Sequence, residues 1–239
     1  MAETTSTTIG TPVKGTGWRR LATDWASDQR AFKEVSWGKA MMWIFLLSDT
    51  FIFSCFLIAY MTARMSTTEP WPNPSEVFAL EIAGKNLPLI LIAIMTFVLI
   101  SSSGTMAMAV NFGYRRDRIK TALLMLLTAA FGATFVGMQA FEWTKLIHEG
   151  VRPWGNPWGA VQFGSCFFMI TGFHGTHVTI GVIFLLITAR KVWRGDFDVQ
   201  RRGFFTSRKG HYESVEIMGL YWHFVDLVWV FIFALFYLW

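Results

Sequence analysis

The sequence predicts an all-α integral membrane protein with five transmembrane helices. Hydrophobic residues make up 53% of its 239 residues and charged residues only 15%, well below the share of about 25% that is usual in soluble domains. Five apolar runs are each long enough to cross a bilayer, which takes about 20 residues in a helix. The runs are continuous and do not alternate with polar residues, so the pattern excludes a β-barrel.

The five predicted helices leave no other apolar run of comparable length. They cover residues 40–63, 87–110, 121–141, 160–189 and 217–239, and we predict that residues 37–239 form one membrane domain. Residues 1–36 form a predicted N-terminal tail. Its first part is rich in Thr, Ser and Gly and is predicted to be disordered. Further on, Leu21, Trp25 and Phe32 recur at a spacing that would place them on one side of a short interfacial helix.

The basic residues predict the orientation of the helices in the membrane. The segments on one side of the five helices hold 17 Lys and Arg residues, and those on the other side hold 4. Because cytoplasmic loops carry the excess of Lys and Arg, the N-terminus is predicted to be cytoplasmic and the C-terminus to lie outside. The net charge of +5 thus comes from basic residues that are distributed by membrane side. We therefore predict no nucleic-acid partner.

Six ionisable side chains within or at the ends of the apolar runs are the candidate site residues. They are Asp49, Glu142, His174, His177, His223 and Asp226. Placing an ionisable group within the membrane costs free energy unless the group is paired, so each of these residues is expected to have a partner or a function. Asp49 is the only charge in the first run. It is interpreted either as a carboxyl hydrogen-bonded to a neighbouring helix, or as a group on a proton pathway or at a lipid headgroup.

The spacing of the histidines indicates contacts between helices and not a metal site. His174 and His177 lie three residues apart, with Gly181 on the same face, where glycine lets another helix approach closely. His223 and Asp226 share this spacing and are expected to make a similar polar contact. Two imidazoles do not complete a metal site, and no paired cysteines accompany them. We therefore predict no metal ligand, no bound cofactor and no catalytic residue in this chain.

Glu142 is the remaining candidate. It lies at the end of the third predicted helix, and the sequence places it close to water, where a carboxylate is ordinary.

Two long strings of residues resemble the signature of subunit III of heme-copper terminal oxidases. The first reads FGSCFF at residues 163–168 and continues as TGFHGTHV at residues 171–178, and the second reads YWHFVDLVW at residues 221–229. Asn73 with Pro74, and QAFE at residues 139–142, support the resemblance. Together these features extend from about Trp37 to Trp239.

The resemblance implies a non-catalytic core subunit of a proton-pumping oxidase that reduces dioxygen to water in a bacterial inner membrane. Subunits I and II would hold the hemes and copper, and cytochrome c or quinol would act only through the complex. In this family subunit III packs against subunit I, holds phospholipids in a cleft and helps to sustain proton uptake. The resemblance therefore implies that the six candidate residues support a proton pathway or contact lipid.

Two features of the chain depart from many members of that family. Many members have seven helices, and the sequence predicts none of the first two, so one wall of the lipid cleft is expected to come from elsewhere or to be missing. At Asp49 many mitochondrial-type members have glutamate, whereas five-helix quinol oxidase relatives have a similar Ser-Asp pair. The string at residues 221–229 is more similar to the cytochrome c oxidase branch, which we prefer. The alternatives are a quinol oxidase subunit III, a subunit associated with nitric oxide reductase, and a free-standing proton transporter.

Overall fold

The residues that the structure describes fold as a bundle of five long helices. A computed structural model describes residues 37–82, 85–87, 89–197 and 212–239. The predicted disordered tail and its interfacial helix lie outside these residues. Each long helix is apolar enough to cross a membrane, which confirms the predicted fold class. The long helices are α1 (Trp37–Ser66), α3 (Ile90–Tyr114), α4 (Arg118–His148), α5 (Val161–Arg194) and α6 (Glu213–Phe233), and α6 continues as a π-helical turn over Ala234–Leu238.

The second long helix begins later than the sequence predicts. Strands β1 (Leu80–Ile82) and β2 (Lys85–Leu87) pair in an antiparallel hairpin, so Leu87 is part of a strand and not of a helix. Leu89 then adopts a left-handed backbone conformation with φ of 57°, and α3 starts only at Ile90. The apolar character of residues 87–89 suited a helix, but hydropathy does not report the pairing of backbone groups with the preceding strand.

Polar side chains cap the N-termini of two helices. Asn73 precedes the one-turn helix α2 (Pro74–Val77), and its side chain accepts a hydrogen bond from the Ser75 backbone N–H at 3.2 Å. Asp117 caps α4 by accepting from the Lys120 backbone N–H at 3.3 Å. Hydrogen bonds from the Lys120 side chain and backbone lower the pKa of the Asp117 carboxyl. The cap is therefore charged at neutral pH, the form that an N-terminal helix end prefers.

Helix α6 is the centre of the bundle. It packs against α1, α3 and α5, while α4 packs between α3 and α5. Half of the most apolar stretch of α6 is buried, compared with 17% in α1. Helix α1 is accordingly peripheral, and its Leu47 and Phe51 side chains are 74% and 72% exposed. Such exposed apolar side chains suit contact with lipid.

Trp222 fits into a slot that two glycines leave open. A Cβ atom added at Gly132 of α4 would lie 2.5 Å from the Trp222 ring, and one added at Gly181 of α5 would lie 3.0 Å from it. The indole N–H donates to the Ser102 hydroxyl of α3 at 2.9 Å. One side chain of α6 thus contacts three other helices. The contact at Gly181 confirms the close helix approach that the sequence predicts there.

Further polar contacts fix neighbouring helices to one another. The Trp229 indole N–H of α6 donates to the Thr96 hydroxyl of α3 at 3.1 Å, and the Thr105 and Thr128 hydroxyls join α3 to α4 at 2.7 Å. Because lipid offers no replacement for these hydrogen bonds, they favour a single arrangement of the helices.

We predict that Gly132→Ala lowers the free energy of unfolding by about 1–3 kcal/mol, because the added methyl group overlaps the Trp222 ring and overpacks the core. The matched control is Gly137→Ala on the same helix, where a Cβ meets no atom within 4 Å. The measurement is the thermal unfolding midpoint of both variants in the same detergent. Equal midpoints for the two variants would show that the slot is not tightly packed.

Candidate functional site

Asp49 and His177 form a pair within the membrane-spanning part of the bundle. The Asp49 Oδ1 atom of α1 lies 3.5 Å from the His177 Nε2 atom of α5, and the Asp49 side chain is almost fully buried. The His177 Nδ1 atom lies 2.8 Å from the Phe173 carbonyl oxygen. A carbonyl only accepts, so Nδ1 carries a hydrogen and Nε2 faces the carboxyl group. The pair can therefore bind one proton between Oδ1 and Nε2.

The surroundings of this pair are mainly aromatic. The centroids of the Phe53 and Phe173 rings lie 5.7 Å and 4.7 Å from that of the His177 ring. The Tyr221 hydroxyl donates to the His177 backbone carbonyl at 2.9 Å. The second carboxyl oxygen of Asp49, Oδ2, is buried without a hydrogen-bond partner in the described part of the chain. Asp49 thus contacts a neighbouring helix through Oδ1, which is the first of the two interpretations of this residue. Its Oδ2 atom remains available as a hydrogen-bond acceptor.

His174 contacts a different helix from His177. Its Nε2 atom donates to the Val225 carbonyl oxygen of α6 at 3.1 Å, and its ring packs against Trp229 with centroids 5.3 Å apart. The side chain is 1% exposed. The two histidines therefore join α5 to α6 and to α1, which confirms that they make contacts between helices.

His223 and Asp226 lie where α6 faces α3. The His223 Nδ1 atom and the Ser103 hydroxyl of α3 are 2.7 Å apart, which is the interhelical contact expected of His223. Asp226 lies near Ser103 and His223, but its buried Oδ1 atom has no hydrogen-bond partner among the described residues. The expected contact is therefore made through the histidine, and one carboxylate oxygen is left unpaired.

Glu142 is buried, so the prediction that it lies close to water is wrong. Its side chain is only 3% exposed. The Gln139 amide donates to Oε2 at 2.9 Å, and the Tyr237 hydroxyl donates to the same oxygen at 3.3 Å. Helix α4 continues to His148, well beyond the predicted end of the third helix at residue 141, and the π-helical turn that holds Tyr237 packs over the carboxyl group.

Lys145 lies one turn from Glu142 on the same face of α4. Its ammonium group donates to the Ala79 carbonyl oxygen and forms an ion pair with Glu149 at 3.5 Å. A cavity of about 10 Å³ is lined by both Glu142 and Lys145, which is about the space that one water molecule needs. This end of the bundle therefore combines a buried carboxyl group with a cation and room for one water.

Sequence reasoning did not select three residues that complete these contacts: Ser103, Gln139 and Tyr237. Three consecutive serines, at positions 101–103 within the second apolar run, were an available signal for a polar contact at that depth. Gln139 stands one turn before Glu142, a spacing at which side chains on a helix meet. Tyr237 had no such signal, because its role depends on a helix that is distant in the chain.

Comparison with known proteins identifies the family. A profile of the family described as Cytochrome c oxidase subunit III matches residues 18–239. The chain belongs to this family. Similar curated relatives include two probable quinol oxidase subunit 3 proteins. That of Staphylococcus saprophyticus is 32% identical over 213 residues, covering 88% of this chain and 92% of the relative. That of Staphylococcus aureus strain USA300 is 32% identical over 203 residues, covering 84% and 88%.

The family match confirms the resemblance drawn from the strings at residues 163–178 and 221–229. The chain is a subunit III of the heme-copper oxidase type and a multi-pass membrane protein. As such it is part of a complex with other oxidase subunits. Among the residues that the structure describes, no three His, Cys, Asp or Glu side chains lie close enough together to hold a metal ion.

We predict that Tyr237→Phe lowers the free energy of unfolding by about 1 kcal/mol, because the buried Glu142 carboxyl loses one of its two donors. The matched control is Tyr114→Phe, the same chemical change on a side chain that is 67% exposed. The thermal unfolding midpoints of both variants in detergent test this. A loss in Tyr114→Phe as large as that in Tyr237→Phe would contradict the role given to the contact with Glu142.

Proposed function

We propose that the chain is the non-catalytic subunit III of an aerobic respiratory heme-copper oxidase, in which it stabilises subunit I and supports proton uptake. The observation that carries the proposal is the buried Asp49–His177 pair, which sits between α1 and α5 in a chain of this family. The hemes and copper would be held by subunits I and II, and phospholipids would fill the spaces around the bundle.

The pair supports a role in proton supply through its chemistry. A carboxyl group and an imidazole that face each other can hold one proton in either of two positions, and aromatic side chains exclude most competing hydrogen bonds. The unpartnered Oδ2 atom of Asp49 is an acceptor for a water molecule or for a donor from another subunit. A proton received at Oδ2 can pass to His177 Nε2 once the carboxyl group rotates and exchanges its two oxygens. Intramembrane carboxylates and histidines are the groups from which proton relays are built.

Two electron donors fit this family, and a different observation supports each. The string at residues 221–229 resembles the cytochrome c oxidase branch, which favours cytochrome c. The curated relatives at 32% identity are called probable quinol oxidase subunit 3, which favours quinol. The donor binds to other subunits, so the choice depends on the assembled complex. A partner of the nitric oxide reductase type would be revealed by reduction of nitric oxide in place of dioxygen.

The basic residues and the relatives support an orientation of the chain in the membrane and a location in the cell. We infer that the N-terminus lies in the cytoplasm and Trp239 on the periplasmic side of a bacterial inner membrane. One side holds 17 Lys and Arg residues and the other side 4, which supports this orientation. The bacterial origin of the relatives supports the location.

We predict that Asp49→Asn leaves the complex assembled but slows proton uptake several-fold or shortens its active lifetime during turnover. Asparagine keeps the shape of the side chain but cannot bind and release a proton at neutral pH. Oxygen consumption and proton uptake by the purified complex in liposomes, followed until activity is lost, measure the effect. The matched control is Ser48→Ala, at the exposed neighbouring position. If Asp49→Asn leaves the rate of oxygen consumption, the proton pumping and the active lifetime unchanged, Asp49 contributes only to packing.

We also predict that the complex purified through this chain shows heme absorbance and oxidises reduced cytochrome c. Oxidation of a quinol without cytochrome c activity would select the alternative donor. A colourless chain that purifies alone and carries protons across liposomes would instead support a free-standing transporter and refute the proposed function.

A further inference from the structure

The buried carboxyl group of Glu142 has one oxygen that can accept a further hydrogen bond. Its Oε2 atom accepts from the Gln139 amide at 2.9 Å and from the Tyr237 hydroxyl at 3.3 Å. The Oε1 atom has only a longer contact with the same hydroxyl, at 3.5 Å. Because a carboxylate oxygen has about two lone-pair sites, Oε1 keeps room for another donor.

The Lys145 ammonium group, one turn further along α4, keeps a donor in reserve. An ammonium group donates through three hydrogens. One is donated to the Ala79 carbonyl oxygen, and a second is used in the ion pair with Glu149 at 3.5 Å. The described residues supply no acceptor for the third hydrogen. Lys145 also forms no direct ion pair with Glu142 in this part of the chain, so the spare donor and the spare acceptor are not in contact.

A small cavity lies between these two groups. Its volume is about 10 Å³, and both Glu142 and Lys145 line it, so it has the size that one water molecule needs. A water molecule there can accept from the ammonium group and donate to Oε1, which pairs two groups that an empty cavity would leave unpaired. The other lining side chains are apolar and offer the water no competing partner: Val77, Phe78, Leu91 and Leu146.

The cavity lies between the buried carboxyl group and the surface of the bundle. Glu142 is 3% exposed, whereas the side chains of Lys145 and Glu149 are 23% and 32% exposed. Tyr237 covers the carboxyl group from α6, and its ring packs against Phe78 with centroids 4.5 Å apart. The way from Oε1 to bulk water therefore leads through the cavity and past Lys145 and Glu149.

Four titratable groups meet at this end of the bundle. Three of them, Glu142, Lys145 and Glu149, belong to α4, and the fourth, Tyr237, belongs to the π-helical turn. The segment before α3 contributes the Ala79 carbonyl oxygen, which does not titrate. The Lys145 ammonium group is the cation of this set, and a nearby cation stabilises a carboxyl group that has lost its proton.

We propose that a water molecule in this cavity bridges Glu142 Oε1 and Lys145 Nζ, and that Glu142 exchanges its proton with bulk water through it. The carboxyl proton passes from Oε1 to the bound water, and this water releases one of its own protons to bulk water beside Glu149. The cavity then again holds a neutral water, Glu142 is a carboxylate, and bulk water has gained one proton. Lys145 keeps its charge throughout, and the reverse steps return the proton.

This inference goes beyond the proposed function, which is carried by the Asp49–His177 pair. It gives the end of the bundle where α4 terminates a second, separate acid that binds and releases protons. It depends only on contacts within this chain, so it does not change with the electron donor of the complex.

The first test follows the proton on Glu142. Infrared difference spectra are recorded after a pH jump on the purified complex, with wild type and Glu142→Gln compared. Glutamine keeps the shape of the side chain but has no carboxyl proton. We expect the wild type to show a carboxyl band that changes with pH and is missing from Glu142→Gln. Identical difference spectra would show that Glu142 exchanges no proton and would overturn the proposal.

The second test removes the space for the water and leaves Glu142 in place. Val77→Ile adds a methyl group to the cavity wall, and the matched control Val161→Ile makes the same change on a side chain that is 46% exposed. We expect the carboxyl band of Val77→Ile to respond about tenfold more slowly, as for the loss of roughly one hydrogen bond from the route. Val161→Ile should respond at the wild-type rate. A wild-type rate in Val77→Ile, or equal slowing in both variants, would count against the water.

The third test observes the water directly. In an experimental structure of the complex in which other buried waters are visible, we expect one water within hydrogen-bond distance of both Glu142 Oε1 and Lys145 Nζ. A direct contact between these two side chains, or a cavity without density, would refute the bridge.

Discussion

The packing of the Trp222 indole between Gly132 and Gly181 sets the position of α6, and the polar contacts that α6 makes with its neighbours depend on that position. In a membrane the hydrophobic effect does not drive helices together, so a close fit and hydrogen bonds must select one arrangement. The indole supplies both, because its ring fills the glycine slot and its N–H donates to Ser102. Once Trp222 is seated, the adjacent turns of the rigid helix α6 have little freedom to rotate. The Tyr221 hydroxyl then reaches the backbone of α5, and the Val225 carbonyl meets His174.

The polar groups of the bundle divide into those that join its own helices and those that are incompletely satisfied. Several indole, hydroxyl and imidazole groups find partners on a neighbouring helix. In contrast, Asp49, Gln139 and Asp226 each keep one buried oxygen that finds no partner among the described residues. An isolated membrane protein gains nothing from such atoms, because lipid cannot satisfy them. A subunit that functions inside a larger complex can use them to bind water, protons or donors from its partners.

The start and the middle of α1 make different contacts with the bundle. In the middle, Asp49 faces α5, while large apolar side chains such as Leu47 and Phe51 face away from the bundle. At its start, Lys39 forms an ion pair with Glu216 of α6. The face of α1 that points away from the bundle is apolar. The exposed face of α1 is therefore a surface that lipid or another subunit would cover in the complex.

The sequence by itself determined the five spans, the family and the candidate residues, because the length and hydropathy of each run and the order of the family strings are local properties of the chain. It also predicted contacts between helices for His174 and His177, since polar groups in an apolar run need partners. Only the tertiary structure decided that Asp49 pairs with His177, that His223 bonds to Ser103, and that Glu142 is buried. Each of these depends on which side chains from distant segments meet, and periodicity gives the face of one helix without the rotation of its neighbour. Glu142 shows this most clearly, because the residue that covers it, Tyr237, lies 95 positions away in the chain.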